Sequence, residues 1–95
     1  EMFAEAPAFN QNIGGWDVGK VTTMYRMFKG ATSFNGNVEN WGDKTGAVTT
    51  MYRMFYNASS FSNHNLNSWD VTNVTDHTEF LGGTAGTGNT EPTWP

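Results

Sequence analysis

The chain has no cysteine, few basic residues and no long apolar run. Without cysteine, neither a disulfide nor a thiolate zinc site can stabilise its 95 residues. Five basic residues, no two of them adjacent, stand against nine acidic ones, and the net charge is −4. This balance argues against nucleic acid or an anionic membrane as a partner. No apolar segment approaches the roughly 18 residues that a membrane span needs, so we expect no membrane span.

Patterns that carry catalytic chemistry are also missing. The sequence offers no nucleophile–base–acid set, no phosphate-binding glycine loop followed by a helix, and no metal-ligating helix motif. We therefore expect no enzymatic activity, no cofactor and no metal ion. The chain starts with Glu1 and lacks a signal-peptide pattern, which leads us to expect a processed product or a segment of a longer protein.

What the chain does have is an internal repeat. The eight residues VTTMYRMF occur at 21–28 and again, unchanged, at 48–55. The four tryptophans follow the same period at spacings of 25, 28 and 25 residues; they are Trp16, Trp41, Trp69 and Trp94. A period of this length is typical of stacked repeat units that bury a shared core.

Each unit contains one candidate helix and one candidate strand. Met24, Met27, Phe28 and Ala31 have the i, i+3, i+4, i+7 spacing of one helical face. Thr22 or Thr23 could cap such a helix and Gly30 could end it, while residues 13–18 resemble a short strand. The predicted fold is α/β, a leucine-rich-repeat-like solenoid of short parallel strands and short helices with three to four units of about 25–28 residues.

The last unit is irregular. We predict one solenoid domain over residues 1–81, followed by a Gly/Thr-rich segment at 82–95 that keeps Trp94 but has lost the inner Phe and Ile of the other units. This segment is either a degenerate repeat or a flexible tail. Neither end of the repeat resembles the polar cap that such arrays need for solubility.

The repeat resembles a known family. The segments MFKGATSFNGNVENW and WDVTNVT, together with FNQNIGGWDV, are similar to the units of BspA-like, mycoplasma-type surface lipoproteins, which read MF-x-GA-x-SFNQ-D-I-S-x-WDVS-x-VT-x-M. The resemblance covers nearly all of residues 2–81. It implies a leucine-rich-repeat-like solenoid on an extracellular or cell-surface protein that acts in adhesion or binding. The chain departs from the pattern at residues 41–43 and in its last unit.

Several polar residues have structural explanations. The Trp-Asp pairs at 16–17 and 69–70 suggest a core tryptophan next to an aspartate that closes a turn, in preference to a metal site built from Asp17, Asp43 and Asp70. Asparagines at equivalent positions should satisfy backbone groups of the neighbouring unit; these are Asn10 and Asn35, with Ser62 in the third unit. His64 and His77 have no partner nearby in sequence, and we expect them to be solvated edge residues.

Two sets of residues are candidates for function. The first is a contact ridge on the helix face opposite the core, because Tyr and Arg are enriched at binding hot spots; its members are Tyr25, Arg26, Tyr52, Arg53 and Tyr56, and we expect an ion pair between Arg53 and Glu79. The second is a pair of assembly ends, with candidates Met2, Phe3, Phe80, Leu81 and Trp94.

These sets lead to competing hypotheses. The leading one is a non-catalytic surface protein that binds a protein or glycan at a cell surface. The alternative is a structural subunit that stacks head to tail with copies of itself through uncapped ends into a filament or larger assembly. A weaker option is an ordered-water or carbohydrate surface formed by the threonines at positions 22, 23, 49, 50, 72 and 75.

Overall fold

A computed structural model describes residues 3–95. Regular secondary structure is sparse within this range. It consists of one 3-10 helix, Glu39–Thr45, and of three isolated parallel bridges that pair Thr23 with Thr50, Thr50 with Asp76, and Asn65 with Thr90. Most of the remaining described chain is formed by turns.

The repeat units lie side by side and are joined by backbone hydrogen bonds. Residue 26 donates its N–H to the Tyr52 carbonyl, and 28 and 30 donate to 54 and 56, at 2.8–2.9 Å. The same series continues one unit later, where Arg53 donates to Thr78 and Phe55 to Phe80. Equivalent residues of successive units are thus neighbours in space.

The predicted helix at residues 24–31 is wrong, and these hydrogen bonds are the reason. An α-helix would use the N–H groups of residues 28 and 30 for the carbonyls four residues earlier, but here both N–H groups are donated to the next unit. Arg26 and Gly30 also have positive φ values of 54° and 72°, which no right-handed helix allows. The segment is instead a series of turns, in which Met27 N–H is donated to Met24 and Lys29 N–H to Arg26. Thr23 Oγ1 accepts the Tyr25 N–H at 3.2 Å and closes one of these turns, not a helix N-terminus.

The predicted strand at residues 13–18 is wrong as well. Trp16 donates its N–H back to the Ile13 carbonyl, and Val21 donates back to Val18. Such three-residue reversals are turns, and they prevent the extended backbone of a strand. The predicted leucine-rich-repeat-like solenoid is therefore incorrect: the described residues contain no sheet, and the protein is a compact globule of 30 × 25 × 22 Å.

The centre of the molecule is a stack of phenylalanine rings from successive units. Phe28 lies 4.1 Å from Phe34 between ring centroids and 5.3 Å from Phe55, which in turn lies 4.0 Å from Phe61. All four rings are completely buried. The spacing of the rings follows from the register of the units, because one residue type at one repeat position places like side chains against each other.

Two tryptophans fasten neighbouring units together. The Trp41 indole N–H is donated to the Ile13 carbonyl and that of Trp69 to the Val38 carbonyl, both at 3.0 Å. Both rings are at most 3 % exposed. The predicted core role of the inner tryptophans is confirmed, whereas Trp16 of the first unit is 44 % exposed.

Short polar side chains close the turns as predicted. Asp17 Oδ1 accepts the Gly19 N–H, and Asp70 Oδ1 accepts the N–H of Thr72, each at 3.0 Å. Asn10 and Asn35 accept backbone N–H groups of the next unit, from Asn35 at 2.9 Å and Ser62 at 3.1 Å. The polar residues at these repeat positions are thus part of the fold.

Candidate functional site

The five residues predicted to form a contact ridge lie together on one surface of the molecule. We call this set, Tyr25, Arg26, Tyr52, Arg53 and Tyr56, the Tyr–Arg ridge. It contains all three tyrosines and both arginines of the chain. Each of the five side chains is neither fully exposed nor fully buried. The ridge arises because the identical VTTMYRMF segments are aligned by the hydrogen bonds between units.

The ridge residues stack on one another. The rings of Tyr25 and Tyr52 are parallel within 12° with centroids 5.1 Å apart. The Arg26 guanidinium lies 4.8 Å from the Tyr25 ring centre, and that of Arg53 lies 5.2 Å from Tyr52 and 4.6 Å from Tyr56. These distances are within the range of cation–π attraction. The stacking holds long side chains in one arrangement before any partner arrives.

Both arginines have an unusual backbone conformation. Arg26 and Arg53 have φ values of 54° and 49°, in the left-handed region that bulky side chains rarely adopt. Glycine or asparagine would adopt it with less strain. Asn57, which we expected to tolerate this region, does have a positive φ of 61° although no helix precedes it. Strained residues of this kind often occur at functional sites.

Two ion pairs flank the ridge. Arg53 donates to Glu79 Oε1 from Nη2 at 2.7 Å and from Nε at 3.0 Å, which confirms the predicted pair. This hydrogen bond to Glu79 raises the pKa of Arg53, so its charge is permanent. Lys29 Nζ lies 3.0 Å from Glu5 Oε1. Both pairs join residues of neighbouring units.

The predicted assembly ends are not equally accessible. Met2 lies outside the described residues. Phe3 is half-buried and stacks on Phe9 with a centroid distance of 3.9 Å. At the other end Phe80 is 1 % exposed, because the Trp94 ring meets it edge-on at 5.1 Å. Leu81 and Trp94 are half-buried, so the C-terminal segment covers its own end.

The segment 82–95 packs against the preceding unit. Asn57 donates its N–H to the Gly82 carbonyl, and Leu66 donates to Thr90. These bonds have the same 24–25-residue offset as those between the regular units. His77, which we expected to be solvated, stacks on Trp94 at 4.1 Å with an interplanar angle of 2°. The boundary that we placed at residues 81 and 82 stays a prediction.

The sequence prediction missed a polar cluster around His64. This side chain is buried, with Nδ1 3.0 Å from Glu39 Oε1, Nε2 2.7 Å from Asn35 Oδ1 and its ring stacked on Phe61 at 4.2 Å. Glu39 Oε2 also accepts the Asn65 N–H at 3.0 Å. The partners are 25–29 residues away in sequence, so no local motif reveals them. Only the repeat period could have indicated that they meet.

The cluster serves packing more readily than proton transfer. Burial alone would raise the pKa of Glu39, but the hydrogen bonds from His64 and the Asn65 amide outweigh it and hold this pKa below its usual value. Both imidazole nitrogens are already engaged by side chains of the protein. No ring nitrogen is left to accept a proton from a substrate.

An open cavity of about 310 Å³ lies beside the C-terminal segment, and Asn67, Trp69, Asp70, Val71, Thr72, Thr93 and Pro95 line it. Asp70 accepts the Thr72 hydroxyl at 2.6 Å and its N–H at 3.0 Å, and these bonds lower the pKa of the carboxyl group. Across residues 3–95, no three His, Asp or Glu side chains are grouped so that they could hold a metal ion. No helix in this range is both long and apolar enough to cross a membrane.

Comparison with known proteins places the chain in a family. Neither a search of curated proteins nor a search of solved structures gave a significant match. A family model described as "Mycoplasma protein of unknown function, DUF285" matches residues 1–94, nearly the whole chain. The match agrees with the mycoplasma-type repeat that the sequence suggested. The chain therefore belongs to this mycoplasma repeat family.

Proposed function

We propose that the protein is a non-catalytic binding module of an extracellular or cell-surface protein and that it binds its partner through the Tyr–Arg ridge. The observation that carries the proposal is the composition of the ridge, which collects every tyrosine and every arginine of the chain on one partly exposed surface. Tyr and Arg are the residues that contribute most often to binding hot spots. The resemblance to BspA-like surface proteins supports a role in adhesion.

The backbone conformation of the arginines gives independent support. A position with φ near 50° favours glycine or asparagine, yet this chain has arginine there in two successive units. Proteins commonly give up stability at residues that serve function. An arginine kept at a strained position in both copies is easier to explain by binding than by folding.

The polar cluster around His64 does not support a catalytic role, because its titratable groups are satisfied within the protein. We propose no enzymatic activity and no cofactor. The ridge, in contrast, has the prearranged aromatic and guanidinium groups that lower the entropy cost of binding.

Cell-binding assays can test the proposal with variants that respect the backbone. We expect the double variant Arg26→Asn, Arg53→Asn to keep or raise the melting temperature, because asparagine tolerates the left-handed region, and to lose binding to host cells or extracellular matrix. The matched control is Lys20→Asn, Lys44→Asn, which removes the same charge from exposed positions outside the ridge. Equal binding by the ridge variant and the control would contradict the proposal.

Self-association is a second candidate, and the exposure of Trp16 favours it. This is the one large hydrophobic side chain of the described residues that is 44 % exposed, and it lies 5.9 Å from the half-buried Phe3 ring. The equivalent tryptophans of later units are buried against a neighbouring unit. Sedimentation velocity over a concentration series tests this candidate. A Trp16-dependent increase in mass would support it, and a monomer at every concentration would exclude it.

A further inference from the structure

The stacked arrangement of the Tyr–Arg ridge restricts what the ridge can bind. A sugar ring that packs on tyrosine needs an open aromatic face. Here Tyr25 and Tyr52 cover each other, and each also has a guanidinium group within stacking distance. The ring faces of these two tyrosines are therefore largely used within the protein.

The third tyrosine is covered in the same way. The Arg53 guanidinium lies over the Tyr56 ring at 4.6 Å. The backbone of residues 82–83 approaches the ring so closely that a Cβ added at Gly82 would lie 2.7 Å from Tyr56 Cδ2, and one at Gly83 would lie 3.1 Å from Cζ. What the ridge still offers to a partner is polar: phenol hydroxyls and guanidinium N–H groups, which donate to oxygen atoms.

The charge of this surface is opposite to that of the whole chain. Together with its two ion-paired neighbours Lys29 and Glu79, and with Glu5, the ridge surface has three of the five basic residues but only two of the nine acidic ones. The remaining surface is strongly acidic. A positively charged strip on an acidic protein attracts carboxylates and orients them toward the strip.

Glu79 shows how a carboxylate fits the ridge. Its Oε1 accepts two N–H bonds from Arg53. Glu79 occupies the third-unit position that Arg26 and Arg53 occupy in the first two, and it shares their left-handed backbone with φ of 52°. The ridge thus ends on a carboxylate of its own chain, which competes with any external carboxylate for Arg53.

We propose that the Tyr–Arg ridge binds an extended, acidic segment of another protein, whose carboxylates are held by Arg26 and Arg53 and whose backbone follows the line of tyrosines. The 5.1 Å spacing of Tyr25 and Tyr52 places donors along a line that an extended peptide can follow. This inference rests on the proposed binding function and adds the chemical class of the partner.

Fluorescence polarisation with a labelled peptide of alternating Glu and Ala tests the inference on the full 95-residue chain. We expect this peptide to bind at low ionic strength, to dissociate as salt is added, and to bind more tightly than a matched Lys-Ala peptide. Glu79→Gln should increase the affinity by roughly threefold to tenfold, because it releases Arg53 from its internal partner. Arg53→Asn should reduce the affinity by about tenfold.

The control for Glu79→Gln is Asp43→Asn, which removes one negative charge at an exposed position outside the ridge. Its affinity should differ from the parent by less than about twofold, because charges on distant surface positions are screened by salt. An unchanged or lower affinity of Glu79→Gln would overturn the inference, as would equal binding of the Lys-Ala peptide or selective binding of a neutral oligosaccharide.

The outcomes separate the two proposals. If Arg26→Asn, Arg53→Asn abolishes cell binding while the Glu-Ala peptide binds parent and variant alike, the ridge is functional but its partner is not acidic. If the peptide binds as described and cell binding is unaffected by the ridge variant, the acidic recognition stands and the surface function is wrong.

Discussion

Two aromatic stacks run through this protein, and they differ in burial. The inner stack consists of phenylalanines from successive units, and its central rings Phe28 and Phe55 have no exposed area. The outer stack consists of Tyr25 and Tyr52, which lie one unit apart at nearly the same centroid spacing, 5.1 Å against 5.3 Å. The same repeat geometry thus produces both stacks.

The difference shows that repetition by itself specifies neighbours, whereas the side of the chain on which a residue lies determines its task. A buried ring stabilises the fold through the apolar area that it removes from water. A half-buried ring beside a guanidinium contributes less to folding and remains available for a partner. Removing rings from each stack separately should show this division.

Phe55→Ala should have the largest effect, because it opens a cavity in the inner stack between Phe28 and Phe61. We expect a loss of about 3–5 kcal/mol in the free energy of unfolding. A small domain has only about 5–15 kcal/mol in total, so the variant should be close to unfolding at room temperature. Urea denaturation followed by tryptophan fluorescence measures the loss.

Phe55→Leu is the matched control, since it keeps most of the apolar volume and should cost well below the alanine change. If Phe55→Ala and Phe55→Leu reduced the stability equally, or if the alanine variant lost less than about 1 kcal/mol, the inner stack would not be the main source of stability.

The sequence predicted which residues are buried better than it predicted their backbone. The helical spacing of Met24, Phe28 and Ala31 correctly identified side chains with no exposed area. A series of turns with a left-handed arginine buries the same set, because its chain also reverses direction every few residues. The periodic pattern could not distinguish the two, since the deciding hydrogen bonds are donated to another unit.

The candidate site followed the same division. Alignment of the two VTTMYRMF copies predicted the Tyr–Arg ridge and the pair between Arg53 and Glu79, because both depend only on the repeat period. The cluster of His64 and Glu39 was not predicted, because its members differ in type and occur once each. The covering of Phe80 by Trp94 was missed since the final segment departs from the repeat pattern.

The tryptophans allow a second test of the contrast between buried and exposed rings. Trp41→Phe removes the N–H that is donated to the Ile13 carbonyl and leaves this buried acceptor without its partner. We expect a loss of about 1–3 kcal/mol in unfolding free energy. Trp16→Phe should change stability by less than about 0.5 kcal/mol, because that ring is largely exposed. Equal losses for the two variants would show that Trp16 is held as firmly as the inner tryptophans.

The outer stack should show the smallest effect on stability and the largest on binding. Tyr52→Ala removes the ring that stacks on Tyr25 and supports the Arg53 guanidinium. The expected loss in unfolding free energy is about 0.5–1.5 kcal/mol, the usual value of an aromatic pair, while binding of the Glu-Ala peptide should fall by about tenfold. Tyr52→Phe keeps the stack and should retain the stability, so it isolates the hydroxyl group. A Tyr52→Ala variant as unstable as Phe55→Ala, with peptide affinity unchanged, would mean that the outer stack is an extension of the core, and the ridge would then have no claim to function.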